Sequence, residues 1–295
     1  MSHTKSSFAK PGVDPRDLLA LTKPGVTRMC LLTTAGGMLL APGSLSIGLA
    51  FAAVVGTALA VAGANAFNMW WERDLDRLMS RTRRRPLPSG RLAPQTAVRF
   101  AWICSVLSFV VLALAANLLT AFLAAAAIAS YVLVYTPLKV RTPAALVIGA
   151  IPGAAPPLLG WTAVTGSIDP PAVVLFLVLL VWQIPHFIAI ALYRKQEYAR
   201  AGIRVVPLVR GDAIAKIHAV AWALILVPLS LMLAPMGVAG GTYVVCALVL
   251  GMAFVGWSFT GLDNAAGPRW ARGFFLASLV YLPALTFALV LDVLL

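Results

Sequence analysis

Nine stretches of this chain, at about 26–41, 46–70, 97–117, 120–136, 144–164, 171–193, 213–233, 241–258 and 273–292, are almost free of charged side chains. A helix needs about 17–25 apolar residues to cross a hydrocarbon core of ~30 Å, and these stretches approach or reach that length. The breaks between them carry turn residues: Pro42-Gly43, Pro137, Gly166 through Pro171, Pro235 through Gly241, and Gly267-Pro268. Only Leu118 and Leu119 separate the third stretch from the fourth. Composition agrees. With 61% hydrophobic and 11% charged residues, a soluble domain would have to hide more apolar surface than its interior holds, and a disordered chain would be poor in such residues. The expectation is an all-α membrane protein with nine transmembrane helices around a central cavity. Residues 1–25 read as a cytoplasmic N-terminal tail without signal-peptide layout, and 26–295 as a single transmembrane domain.

The formal net charge is +13, from 23 Lys and Arg against 10 Asp and Glu. In a soluble protein that balance would point to nucleic acid. Here its distribution decides otherwise. With a cytoplasmic N-terminus, the tail and the connections after the second, fourth, sixth and eighth stretches, together with the adjoining starts of the next stretches (Arg28, Arg99 and Lys216), hold all 23 basic residues, and the opposite connections hold none. That is the positive-inside pattern of a membrane protein, so the charge marks topology and the lipid bilayer, and no nucleic-acid partner is expected. The three cysteines, Cys30, Cys104 and Cys246, lie within apolar stretches at no metal-ligand spacing and read as small buried hydrophobes.

Chemistry concentrates where the second stretch ends. Asn68, Glu72 and Asp76 stand four residues apart. On a helix they share a stripe that drifts by about 40° per step. One amide and two carboxylates offer hard oxygen ligands of the kind Mg²⁺ accepts. The plainer reading is a helix end dipping into water, with Glu72 and Asp76 paired to Arg73 and Arg77, and Asp74 paired to a neighbouring arginine. The segment Arg81-Thr82-Arg83-Arg84-Arg85-Pro86-Leu87-Pro88-Ser89-Gly90-Arg91 follows. Guanidinium groups recognise phosphate oxygens in bidentate fashion, and an anionic lipid surface would explain the same charges. Tyr135 through Lys139 close the fourth stretch, and Tyr193-Arg194-Lys195-Gln196-Glu197 close the sixth. Three helix ends on one side thus hold acid, base and tyrosine above an apolar interior, a setting for an amphiphile with an anionic head and a hydrocarbon tail.

Asn68-xxx-Glu72-xxx-Asp76 followed by Arg81-Thr82-x-x-Arg85-Pro86-Leu87-Pro88-x-Gly90-Arg91 resembles the first motif of the UbiA-type intramembrane prenyltransferases. The stretches Leu21–Gly25, Tyr135–Pro143, Ile148-Gly149-Ala150 through Pro156-Pro157-Leu158-Leu159-Gly160-Trp161, Trp182–Phe187 and Tyr198–Ile203 resemble the branch of that family that farnesylates haem. The resemblance implies a nine-helix fold with a cavity open sideways to lipid, and Mg²⁺-dependent transfer of a farnesyl group from farnesyl diphosphate to haem B. It implies that Asn68, Glu72 and Asp76 hold Mg²⁺ and carry the catalysis, that Glu197 is a further metal ligand, and that Arg81, Arg85, Lys139, Arg194 and Lys195 bind the diphosphate. It gives His186, Tyr135 and Tyr193 as acceptor contacts, a bacterial inner membrane as the setting, and haem A synthase or a terminal oxidase assembly as downstream partners. Two departures stand out: Glu72 where aspartate is common, and Gln196-Glu197 where the family's second motif is richer in aspartate. A family member that prenylates a quinone precursor would share the same first motif, and a transporter would share the helix count.

Overall fold

A computed structural model describes residues 13–294. The tail residues 1–12, among them His3, Lys5 and Lys10, lie outside the described residues. The chain forms α1 (Pro15–Leu21), α2 (Pro24–Leu40), α3 (Ile47–Trp71), α4 (Arg73–Arg77), α5 (Pro94–Ala115), α6 (Leu118–Leu138), α7 (Ala145–Thr165), α8 (Pro170–Tyr193), α9 (Lys195–Arg200), α10 (Val206–Val209), α11 (Asp212–Leu231), α12 (Gly241–Thr260) and α13 (Pro268–Leu294). Among the described residues there is no strand. The eight long helices α3, α5, α6, α7, α8, α11, α12 and α13 are long and apolar enough to cross a membrane. The run expected over 26–41 is α2, whose 17 residues span about 25 Å at 1.5 Å per residue, the lower limit for a crossing.

The helix ends follow from local chemistry. Proline occupies the first turn of α1, α2, α5 and α8, where its missing N–H has no intrahelical partner to lose. Ser46 caps α3 by accepting from Leu49 N. Gly166 ends α7 in the left-handed conformation, φ +70°. The boundary between the third and fourth apolar runs falls at Ala116-Asn117, not at Leu118-Leu119. Asn117 Oδ1 accepts from Thr120 N at 2.9 Å, and its amide donates to Thr162 O at 2.7 Å on α7. A side chain that supplies both a cap and a cross-helix bond turns the chain within two residues.

Packing runs around the bundle from α2 through α3, α5, α6 and α7, then through α8, α11, α12 and α13, and α13 returns to α2. The most enclosed span is α8, whose Val178, Trp182, Ile184 and Ile188 sit in the largest apolar cluster with Phe254, Phe274 and Tyr281. The outer surface stays apolar, with Ile47, Phe51, Trp102, Leu114, Phe122 and Phe287 all strongly exposed, as a lipid-facing exterior requires. In lipid, helices associate by close packing of small residues. The contact of α2 with α7 is of that kind and is reciprocal: a Cβ at Gly37 would meet the backbone of Pro157, and one at Gly160 the carbonyl of Thr34. Contacts between loops gather the basic connections at one end. Lys23 reaches Asn68, Arg91 reaches Asp17, Arg204 N donates to Lys139 O, and Lys216 donates to Ala266 O.

Because backbone stands in the way on both sides, Gly160→Val is expected to cost about 1–3 kcal/mol through overpacking. Thermal unfolding in detergent reads this as a lowered midpoint, whereas an unchanged midpoint would mean that α2 and α7 do not approach this closely.

Candidate active site

The four-residue spacing of Asn68, Glu72 and Asp76 survives in the structure, but not on one unbroken helix. The helix α3 ends at Trp71, and Glu72 takes φ −93°, ψ 5° between α3 and α4. The bonds Glu72 N to Asn68 O at 2.9 Å and Asp76 N to Glu72 O at 2.8 Å carry the register across this bend. All three side chains are buried. Asp74 stays exposed and pairs with Arg77 at 3.3 Å and Arg73 at 3.9 Å.

The partners of the two buried carboxylates come from elsewhere in the fold, not from Arg73 and Arg77. Lys139, at the end of α6, places Nζ 2.5 Å from Glu72 Oε2. Arg85 reaches Asp76 Oδ2 at 2.8 Å. Asn68 Nδ2 donates to Glu72 Oε1 at 2.6 Å and to Thr136 Oγ1 at 3.2 Å, which turns its Oδ1 toward Lys23 Nζ at 2.9 Å. The loop that presents Arg85 is folded back by three tethers: Thr82 Oγ1 to Asp76 O, Arg77 Nε to Pro88 O, and Arg91 to Asp17. Met79 of this loop packs with Tyr198, Ala201 and Ile203, so the loops after α4 and α8 share one small core.

Lys23 is the member of this cluster that sequence reasoning missed, since it had counted as a topology charge and as part of the Leu21–Gly25 stretch, with no role at the site. It is the one described non-glycine residue with positive φ, at 51°. That strained backbone precedes Pro24 and aims its ammonium at Asn68. Burial, and then the neighbouring Arg85 guanidinium, pull its pKa down to about 7. The signal in the sequence was a lysine immediately before a helix-opening proline, next to the polar end of the bundle. Thr136 was likewise missed as a partner of Asn68.

The remaining candidates divide. Arg81 is exposed and makes no ion pair or hydrogen bond among the described residues, while its charge acts on Tyr198, whose phenol burial pushes up. Arg194 pairs with Glu197 Oε1 at 2.9 Å, donates to Tyr193 OH at 2.9 Å and lies over the Tyr193 ring at 5.0 Å. Lys195 is turned to the bundle rim, 2.7 Å from Asp212, and is not gathered with the other cations. Tyr135 lies at the end of a π-helical turn, Ser130–Tyr135, a distortion that often marks functional sites. Its ring meets Tyr131 at 5.2 Å. His186 is buried in α8, and its Nδ1 lies 2.7 Å from Ser278 Oγ.

Below the polar cluster lies a small, predominantly apolar cavity that opens to the outside. Asn65, one turn before Asn68, lines it together with Cys30, Thr57, Ala60, Tyr131 and Pro156. The donor set fits a hard divalent cation. Each of three oxygens, on Asn68, Glu72 and Asp76, is already directed at a positive group, and Glu197 Oε2 is buried without any hydrogen-bond partner. The same carboxylate already meets the Arg194 guanidinium through Oε1, and among the described residues no three His, Cys, Asp or Glu side chains come together as a metal-binding group.

The family model described as the UbiA prenyltransferase family matches residues 30–279. The chain belongs to the UbiA prenyltransferase family. This UbiA-family chain is 48% identical over 290 residues to a protein named protoheme IX farnesyltransferase from Anaeromyxobacter sp. (strain Fw109-5), covering 98% of each chain. It is 54% identical over 239 residues to one of the same name from Sorangium cellulosum (strain So ce56), covering 81% of this chain and 85% of that one. Among solved structures it shares its fold with a digeranylgeranylglyceryl phosphate synthase (TM-score 0.79, 18% identity, covering 94% of this chain and 98% of that one). It also shares it with a UbiA homologue from Archaeoglobus fulgidus bound to GPP and Mg²⁺ (TM-score 0.67, 18% identity, covering 93% and 99%).

Removing one half of a buried ion pair strands the other, at a cost of about 3–5 kcal/mol. Lys139→Met is therefore expected to destabilise the protein by that order in metal-free detergent, and Glu72→Gln in the same chain should recover most of the loss. Additive effects in this double-mutant cycle, or a negligible effect of Lys139→Met alone, would mean that the pair is not formed.

Proposed function

We propose that this chain is a prenyltransferase that transfers the farnesyl group of farnesyl diphosphate, with addition of water, to a vinyl group of haem B, making haem O and releasing diphosphate. The observation that carries the donor half is the placement of buried acids and their cations at the polar end of an apolar cavity. The acceptor half is supported by relatives of nearly full length that bear the name protoheme IX farnesyltransferase. Residues 26–295 then act as one domain, with α2 as a ninth span. The loops bearing Arg81, Lys139 and Arg194 face the cytoplasm from a bacterial inner membrane, and residues 1–25 form a cytoplasmic tail. Haem A synthase or a terminal oxidase assembly would receive the product.

The residues present would hold Mg²⁺ through Asn68, Glu72 and Asp76, with Glu197 as a further ligand. Bound there, Mg²⁺ would neutralise diphosphate oxygens and favour departure of the polyanion. The protein's own part is electrostatic. Arg81, Arg85, Lys139, Arg194 and Lys23 take the diphosphate oxygens, and these fixed positive groups stabilise the charge that develops as the C–O bond breaks. To do so, Lys139, Arg85 and Lys23 exchange their present oxygen partners for phosphate. Lys195 would have to leave Asp212 to join them. The apolar cavity below holds the hydrocarbon and keeps bulk water from the allylic cation. The vinyl carbon attacks that cation, and water captures the resulting cation on the porphyrin substituent with loss of a proton. No covalent enzyme intermediate is needed.

Membranes or purified protein supplied with farnesyl diphosphate and haem B should form haem O, with EDTA abolishing and Mg²⁺ restoring it. Asp76→Ala should lower turnover by about 10²-fold or more while the fold is kept. Wild-type turnover in that variant would overturn the proposal, and transfer to a hydroxybenzoate instead of haem would replace the acceptor. Arg81→Ala and Arg85→Ala should each raise the KM for farnesyl diphosphate about tenfold, the equivalent of ~1.4 kcal/mol, with the KM for haem little changed. Equal effects on both substrates would remove these arginines from the diphosphate site.

A further inference from the structure

Asn65 stands one turn before Asn68 on α3, buried and on the wall of the apolar cavity. Its amide nitrogen donates to Thr22 O at 3.1 Å. A backbone carbonyl can only accept, so this bond decides how the side-chain amide is turned: nitrogen toward the elbow between α1 and α2, oxygen away from it. That oxygen accepts no hydrogen bond among the described residues. Nor is it one of the sealed, unpartnered side-chain atoms there, which are Thr57 Oγ1, Glu197 Oε2 and Tyr281 OH. A residue on the cavity wall thus keeps a bare acceptor with open space beside it. The nitrogen accounts for the tie to the elbow, where Thr27 Oγ1 donates to the same carbonyl at 2.8 Å. Among the described residues nothing uses the oxygen.

The same wall carries more polarity than a hydrocarbon needs. Tyr131 lines it from the π-helical turn of α6; its hydroxyl makes no hydrogen bond among the described residues and is not sealed either. On α7, Pro156 and Pro157 have no N–H to give to the carbonyls four residues earlier, those of Pro152 and Gly153. The helix is interrupted there at Ala154, and Pro152, Gly153 and Pro156 all line the cavity. At membrane depth, backbone freed from its helix is tolerated where it is buried in protein or lines a water-filled space. An isoprenoid chain can satisfy neither an amide oxygen nor a phenol nor a carbonyl. Water can, because each molecule both donates and accepts, and a buried water takes about two to four polar partners.

We propose that Asn65 is a positioning residue whose Oδ1 accepts a hydrogen bond from the water that is added to the acceptor vinyl group. This rests on the reading above, in which farnesyl transfer to haem B ends with water capture. The reacting carbon of the donor belongs at the junction between polar cluster and cavity. Asn65 is at that junction, about 4.5 Å below Asn68 at 1.5 Å per residue. Once the terminal vinyl carbon has bonded to the farnesyl carbon, the positive charge lies on the carbon next to the porphyrin ring, two bonds away. A water that donates one O–H to Asn65 Oδ1 presents an oxygen lone pair to that carbon. The lone pair forms the new C–O bond, and the surplus proton passes to the released diphosphate, leaving a hydroxyl on the substituent. Without a held water, the cation sheds a proton from the adjacent CH₂ to the same diphosphate, and the product is an alkene lighter by one water. Asn65 thereby governs which of two products forms.

Purified full-length protein supplied with farnesyl diphosphate, haem B and Mg²⁺ in H₂¹⁸O should yield labelled haem O with little alkene by mass spectrometry. Asn65→Leu should lower the ratio of hydrated to alkene product about tenfold, the scale of one lost hydrogen bond. Asn65→Val, of smaller volume, should do the same where leucine is not accommodated. The ratio does not depend on how much protein folds, so lost turnover alone cannot mimic the effect. Asn65→Asp keeps an acceptor oxygen while giving up the bond to Thr22 O, and should retain mainly hydrated product. Thr27→Val loosens the same elbow with Oδ1 in place, and should leave the ratio unchanged. A wild-type ratio in Asn65→Leu and Asn65→Val, or an equal shift toward alkene in Asn65→Asp and Thr27→Val, would overturn the assignment. Wild-type protein that forms no haem adduct at all would instead remove the haem acceptor, and this assignment with it.

Discussion

Two carboxylates buried at the end of a membrane-spanning helix can stay there only if positive groups meet them. Glu72 finds Lys139 from the end of α6, and Asp76 finds Arg85 from the loop after α4. Isolated ions in so poor a solvent would be costly, so these contacts dictate how the polar end is assembled. The loop carrying Arg85 must fold back across α4, α6 must end beside α3, and the segment before α2 must bring Lys23 to Asn68. The tethers through Thr82, Arg77 and Arg91 are the local means of satisfying that demand.

The same arrangement makes the site responsive. Its positive groups outnumber its carboxylates, and one oxygen of each of Asn68, Glu72 and Asp76 already faces a basic side chain. On the proposed reading, a diphosphate arriving with a divalent metal would offer both sides new partners of the opposite sign, so that the oxygens would turn to the metal and the ammonium and guanidinium groups to phosphate. In that reading the apolar cavity beginning at Asn65 would take the hydrocarbon tail.

Much of this was legible in the sequence because membranes simplify it. Apolar runs and turn residues locate the long helices to within a few residues, with α13 beginning five residues earlier than its apolar run. The four-residue spacing located the acids. What spacing could not reveal was the identity of their partners. Arg73 and Arg77 are nearest along the chain, but they lie on the outer side with Asp74, while Lys139 comes from 67 residues further on. Lys23 was hidden because its role depends on a left-handed backbone that propensity does not predict. Lys195 looked like its neighbour Arg194 until Asp212, on another helix, drew it to the rim. The Nδ1 of His186 finds its partner in Ser278, 92 residues away. Local chemistry set the elements; long-range contacts decided what each charge does.

The central claim is that the oxygens of Asn68, Glu72 and Asp76 grip a divalent cation that is itself bound to the diphosphate. Mn²⁺ in place of Mg²⁺, studied by pulsed EPR with a non-reactive farnesyl thiodiphosphate, tests it directly. The account predicts one tightly bound Mn²⁺ with resolved ³¹P coupling in the wild-type protein, and loss of that coupled signal in Asp76→Ala. A ³¹P-coupled Mn²⁺ of the same strength in Asp76→Ala, or no phosphorus coupling in the wild type, would contradict it.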